Sequence, residues 1–147
     1  MGKLPRFETK HWRTCLHTRS GIISWQAHKQ KTVAASSCEA EYVAAFDACK
    51  EAIWLCTLLS VISHQPQRPT NLLCDNNATI NLSEDPLLHD HVKHIDIKHH
   101  FLRECVQSQE ITLSYINTHD NIADIFTKAL DTRKFTHFHK FLGIKPP

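Results

Sequence analysis

Glu41, Asp75 and Asp124 are the residues of this chain best suited to chemistry, and each sits in its own stretch. These are Ser36-Ser37-Cys38-Glu39-Ala40-Glu41-Tyr42, Leu72-Leu73-Cys74-Asp75-Asn76-Asn77 and Asn121-Ile122-Ala123-Asp124-Ile125-Phe126-Thr127-Lys128. Carboxylate oxygens are the ligands that hard divalent cations take. Two such ions roughly 3.5–4 Å apart activate water and stabilise a leaving oxygen. The three carboxylates fall on a helix, at a strand's end and at the start of a late helix. They make one site only if the fold gathers distant parts of the chain, a layout that points to a nucleic-acid enzyme.

Each carboxylate also has a plain structural explanation. The row Ala45, Ala48, Ala52, Leu55, Leu59 and Ile62 has the spacing of one apolar helix stripe, and stepping back four residues from Ala45 lands on Glu41. Glu39 lies about 200° around the helix from Glu41, free to act as the reciprocal partner of Ser36 in a capping box. A carboxylate ending a core-facing stripe is costly unless it binds something, whereas one at a frayed rim is simply solvated. Asp75 follows an apolar strand, where ligands gather in open α/β sheets and where aspartate is also a common turn or cap residue. Asp124 falls in the first helical turn, a position that the helix dipole favours for any acid.

The elements that must position them follow from periodicity. His11–Leu16 can form a short strand, and Gly21–Gln26 reads as a strand. A further short strand around residues 31–34 suggests a hairpin with a four- or five-residue loop. The longest helix is expected over residues 37–63, closed by Pro66 and Pro69. Thr70–Cys74 is a short strand, and Asn76 or Asn77 caps a helix through Ile80 and Leu82. Asp85-Pro86 opens a His-rich loop, and Ile97, Phe101 and Cys105 mark another amphipathic helix. Ile111–Ile116 alternates like a strand, 118–121 is a turn, 122–130 is helical, and Phe135, Phe138, Phe141 and Leu142 mark a last helix before Gly143. The order is that of a mixed α/β domain.

Composition sets the bounds. The 147 residues suit one domain, with 41% hydrophobic and 22% charged residues. A formal charge of +2 permits a polyanionic partner without arguing for one, and the 12 histidines add charge only at mildly acidic pH. No apolar run approaches a membrane span, and the N-terminus lacks a signal-peptide core. The six cysteines show no Cys-x-x-Cys pair and fall inside helix and strand patterns, so reduced thiols in an intracellular, cytoplasmic or nuclear, protein are expected. His89, His91, His94, His99 and His100 match no known zinc spacing. Trp25, Trp54 and Tyr115 read as core residues.

The run Ile23-Ser24-Trp25, Lys29-Gln30, Val33-Ala34 and Ser36 to Tyr42 resembles the ribonuclease H domain of copia-type retrotransposon Pol polyproteins. Cys74-Asp75-Asn76, Lys93-His94-Ile95-Asp96-Ile97 with His100-Phe101, and Ala123 to Lys128 look like that family's later blocks, in order. The resemblance implies an RNase H-like fold, a five-stranded mixed sheet flanked by helices. It covers residues 21–147, with 1–20 a degenerate N-terminal segment. It further implies cleavage of the RNA strand of RNA–DNA hybrids with two Mg²⁺ ions (Mn²⁺ as substitute), held by Glu41, Asp75 and Asp124. His119 resembles a mobile histidine of some cellular relatives that assists proton transfer or product release. Lys29, Lys93, His94 and Lys128 are the expected contacts to the hybrid's backbone, since phosphate neutralisation supplies sequence-independent affinity. The reverse transcriptase portion of a parent polyprotein is the expected protein partner.

The family's first strand typically carries Asp-x-Asp-Trp, and here the matching run is Glu8-Thr9-Lys10-His11-Trp12. Both acidic positions are replaced, by Thr9 and His11. Glu8 is one register step away, which turns a side chain to the opposite face. The stretch around Ser20-Gly21 is also short by about a strand. No polymerase precedes the domain, so an N-terminally incomplete or decayed copy with impaired catalysis is expected. The alternatives are a working hybrid endonuclease, a non-catalytic transposon-derived remnant that at most binds nucleic acid, and a zinc-dependent binding module.

Overall fold

A computed structural model describes residues 11–18, 21–29, 37–63, 69–84 and 96–143. In chain order the elements are β1 (His11–Thr18), β2 (Gly21–Lys29), α1 (Ser37–Ser63), β3 (Thr70–Cys74), α2 (Asn77–Glu84), α3 (Asp96–Gln107), β4 (Ile111–Tyr115), a 3-10 helix (Ile122–Phe126) and α4 (Thr132–Phe141). The chain divides into two compact units, Met1–Ala40 with Ile122–Pro147, and Glu41–Asn121.

In the first unit β1 and β2 pair antiparallel, from His11 opposite Lys29 to Thr18 opposite Gly21, with an irregularity between Leu16 and His17. The partner of β2 is thus β1, and β2 continues through Ala27–Lys29, where a loop was expected. The strand anticipated at 31–34 lies outside the described residues. The Ile22 amide donates to the Leu142 carbonyl at 3.2 Å, and Trp25 stacks on Phe126 with centroids 6.5 Å apart. Trp25 is nevertheless 59% exposed, so it borders this layer and does not fill a core. The helix expected over 122–130 is only a five-residue 3-10 turn. Asp131 then starts α4 as an N-cap, its side chain accepting from the Lys134 amide at 2.8 Å. Phe138 and Leu142 are buried as the α4 pattern predicts, while Phe135 and Phe141 are exposed.

The second unit is built around α1 and α3. Tyr42, Ala45, Cys49 and Ala52 form the buried row of α1, and Leu102, Arg103 and Cys105 that of α3. The Tyr42 ring stacks on His99 at 3.9 Å, and Phe46 meets Phe101 edge-on at 5.4 Å. Ile97, expected on the inner face of α3, is largely exposed because it sits one residue past the helix start, before that face is covered. Strands β3 and β4 pair parallel, Thr70 opposite Ile111 through Cys74 opposite Tyr115. A parallel pair needs a long crossover, supplied here by α2 and α3. Asn71 Oδ1 accepts from Ser114 Oγ at 2.8 Å and Thr112 Oγ1 at 3.2 Å across the pair. The turn into β4 places Gln109 at φ 59°, a left-handed position that glycine usually takes at a helix C-terminus.

The architecture is α/β. Among the described residues the strands form two two-stranded sheets, not one sheet of five. No helix among them is long and apolar enough to cross a membrane. All six cysteines are free.

Candidate metal and nucleic-acid site

Glu41 lies one turn into α1 and is half-buried. The buried row of α1 reaches back to Tyr42, so Glu41 flanks that row and does not end it. The stripe Ala45, Ala48, Ala52, Leu55, Leu59 and Ile62 differs in phase from the buried row because Leu59 and Ile62 are exposed, and Tyr42 and Cys49 are the fully buried residues. Burial pushes the Tyr42 hydroxyl up to about 12, with the Arg103 charge opposing and Cys49 adding to the rise. The hydroxyl donates to the His99 carbonyl at 3.2 Å.

Asp75 follows β3 directly and is half-buried. The capping role it might have filled belongs to Asn76, whose Oδ1 accepts from the Ala78 amide at 2.9 Å and the Thr79 amide at 3.3 Å. Asp75 is therefore not needed to start α2, which removes its simplest structural explanation.

Asp124 belongs to the other unit and is 1% exposed. Its Oδ2 pairs with Lys128 Nζ at 2.9 Å, and its carbonyl accepts from the Thr127 and Lys128 amides at 3.1 and 2.9 Å. The expected metal ligand and the expected phosphate contact thus engage each other. Their i,i+4 spacing is the sequence signal for this pairing. His119 is exposed in the turn after β4, its amide bonded to Asn117 Oδ1 at 2.9 Å. Lys29 is the last residue of β2, while Lys93 and His94 lie outside the described residues.

Among the described residues no three His, Cys, Asp or Glu side chains gather as a group fit to hold a metal ion. Within its own unit, Asp124 has an ammonium beside it, which a cation at that carboxylate would have to displace. A basic feature not foreseen lies elsewhere: Lys50 and Lys98 stand over the Phe46 ring at 5.1 and 5.8 Å. Lys50 also lies 3.8 Å from Asp47. Only the Phe46–Lys50 half could be read from spacing, because Lys98 arrives from α3.

The sequence is 38% identical over 122 residues to the retrovirus-related Pol polyproteins from transposons RE1 and RE2 of Arabidopsis thaliana, covering 83% of this chain and 8% of each relative. Its homologues are retrovirus-related Pol polyproteins of transposons. The same identity holds over 124 residues to the Pol polyprotein from transposon TNT 1-94 of Nicotiana tabacum, covering 84% of this chain and 9% of that one. This Pol-related chain thus spans under a tenth of the length of the relatives it matches. No family model matches it, and no solved structure does.

Proposed function

We propose that the chain is the RNase H-like segment of a copia-type transposon Pol polyprotein, in a copy whose cleavage of the RNA strand of RNA–DNA hybrids is impaired. The homology to transposon Pol polyproteins over most of the chain supports the origin. The motif blocks around Glu41, Asp75 and Asp124 support the assignment to the RNase H-like segment, and the parallel β3–β4 pair with its helical crossover is compatible with it.

The observation that carries the impairment is the Asp124–Lys128 pair. A buried carboxylate whose charge is already met by an ammonium at 2.9 Å must give up that partner before it takes a cation. The loss of both first-strand aspartates, to Thr9 and His11, removes further ligands that the family pattern supplies. The remaining activity is binding of a nucleic-acid backbone by the basic side chains, with Lys50 and Lys98 flanking an aromatic ring in the manner of sequence-tolerant contacts.

The test is incubation of a labelled RNA–DNA hybrid with folded protein in Mg²⁺ and then in Mn²⁺, beside Asp75→Asn. The expected result is a retarded hybrid that stays intact in every lane. Cleavage by the wild-type protein that disappears in Asp75→Asn would mean that the carboxylates still assemble a working centre, and the impairment would be refuted.

A further inference from the structure

The outer face of α1 changes character at Trp54. At 100° per residue, Val43, Asp47, Lys50 and Glu51 share the face opposite the buried row Tyr42, Ala45, Cys49 and Ala52. Trp54, Leu58, Val61 and Ile62 carry that outer face onward, all within about 100° of one another. Cys56 continues the inner row, and its Sγ lies 3.0 Å from Thr70 Oγ1 at the start of β3. The second half of the helix is thus tied to its unit on one side. On the other it presents four large apolar side chains, 42% to 73% exposed.

A helix at a protein surface normally turns polar side chains outward. Residues 52–63 contain no Asp, Glu, Lys, Arg or His, so nothing on this stripe selects a charged partner. An identical stripe complements it without any further feature, as a two-fold interface requires. Mutual burial of the four side chains would cover roughly 900 Å² over two copies, close to the lower bound of specific interfaces. Leu59, also exposed, flanks the stripe and extends the contact.

We propose that the outer stripe of α1 is a self-association surface, packed antiparallel on the same stripe of a second copy of this chain. Leu58 is midway between Trp54 and Ile62, so the two-fold axis passes beside it. Trp54 then faces Ile62 of the partner subunit, and Leu58 faces its own counterpart. A parallel arrangement would instead lay Lys50 against Lys50 and Glu51 against Glu51, and like charges in contact are costly. The antiparallel one leaves these charges outside the contact, at its two ends. The small area makes the dimer weak, with a Kd on the order of 10 µM. The inference needs neither hybrid cleavage nor nucleic acid, so either reading can fail without the other.

Sedimentation velocity of the full chain under reducing conditions, from about 1 to about 200 µM, tests it. Wild-type protein should pass from monomer to dimer mass across that range. Leu58→Glu and Leu58→Lys should each associate at least about tenfold more weakly, with helix content unchanged. An equimolar mixture of the two should recover the dimer, because glutamate meets lysine at the axis. Val61→Glu should reproduce the loss if either Leu58 variant does not fold. A wild type that stays monomeric at every concentration would overturn the proposal and leave the stripe to another segment of a longer polypeptide. Single variants that dimerise as tightly as wild type, or a mixture of folded variants that stays monomeric, would overturn it as well.

Discussion

The two halves of α1 have similar apolar content and opposite fates. From Tyr42 to Ala52 the row Tyr42, Ala45, Cys49 and Ala52 is buried, with Tyr42 and Cys49 fully so. From Trp54 to Ile62 the helix continues without a break, yet Trp54 is 58%, Val61 73% and Ile62 69% exposed. The first half is fixed by specific pairings: the Tyr42 ring on His99 and Phe46 on Phe101. The second half has one polar tie to the rest of its unit among the described contacts, Cys56 Sγ to Thr70 Oγ1 at 3.0 Å. Helix formation and helix burial are therefore separate properties of one sequence. The first is settled by local spacing and the second by whether another element arrives.

The largest effect that would test this contrast is in the buried half's partner. Leu102 is fully buried on α3, and Leu102→Ala should cost about 2–5 kcal/mol through lost transfer and a residual cavity. Urea unfolding with an unchanged slope would read it. A loss below about 1 kcal/mol would mean that α1 and α3 are not packed as described.

A second effect comes from pH. The Tyr42 hydroxyl titrates at about 12 in the folded protein against 10 for an ordinary tyrosine, burial being the chief cause. The neutral form is favoured by folding, so this contribution is complete below pH 10. It falls as pH rises from 10 to 12, because the unfolded chain ionises first. About 2–3 kcal/mol should disappear across that window, and Tyr42→Phe should flatten the profile there. A profile unchanged in Tyr42→Phe would remove Tyr42 as its cause.

Much of this was legible in the chain. The bounds of α1 and β3 follow directly from the Ser37 start, the proline closures and the apolar run of residues 70–74. Asn76 as a cap, Asp131's helix and the Ile111 strand also have local signatures. Long-range facts were not legible. Nothing near Trp54 or Ile62 announces that they are exposed, and nothing near Arg103 announces that it is buried. Pairing of β2 with β1 was missed because β1 has little alternation, its pairing resting on backbone hydrogen bonds. Among the candidate site residues, sequence located Asp75 and Asp124 on their elements. It did not foresee that Lys128 would meet Asp124, since a motif reading gives each residue a ligand outside the protein.

A smaller effect concerns the turn that returns α3 to β4. Gln109 holds a left-handed backbone at φ 59°, which costs a residue with a side chain about 1 kcal/mol relative to glycine. Gln109→Gly should leave stability unchanged or raise it by up to about 1 kcal/mol, the added freedom of the unfolded chain offsetting part of the gain. A clear loss would mean that the side chain, and not the backbone, shapes this turn.

The smallest expected effect is in the exposed half of α1, and it is the sharpest test of the contrast. Val61→Ser and Ile62→Ser remove large apolar side chains from the same helix that buries Tyr42 and Cys49. By composition alone they belong with the core. By exposure they should each change stability by no more than about 0.5 kcal/mol, apart from the slightly lower helix propensity of nearby turns. Both should also make the protein more soluble, because exposed apolar side chains on a regular helix face favour self-association. If either variant instead loses more than about 2 kcal/mol at a protein concentration where the chain is monomeric, then the second half of α1 is covered in solution and the division of this helix is false. If the loss appears only at high concentration, the covering element is another molecule of this chain.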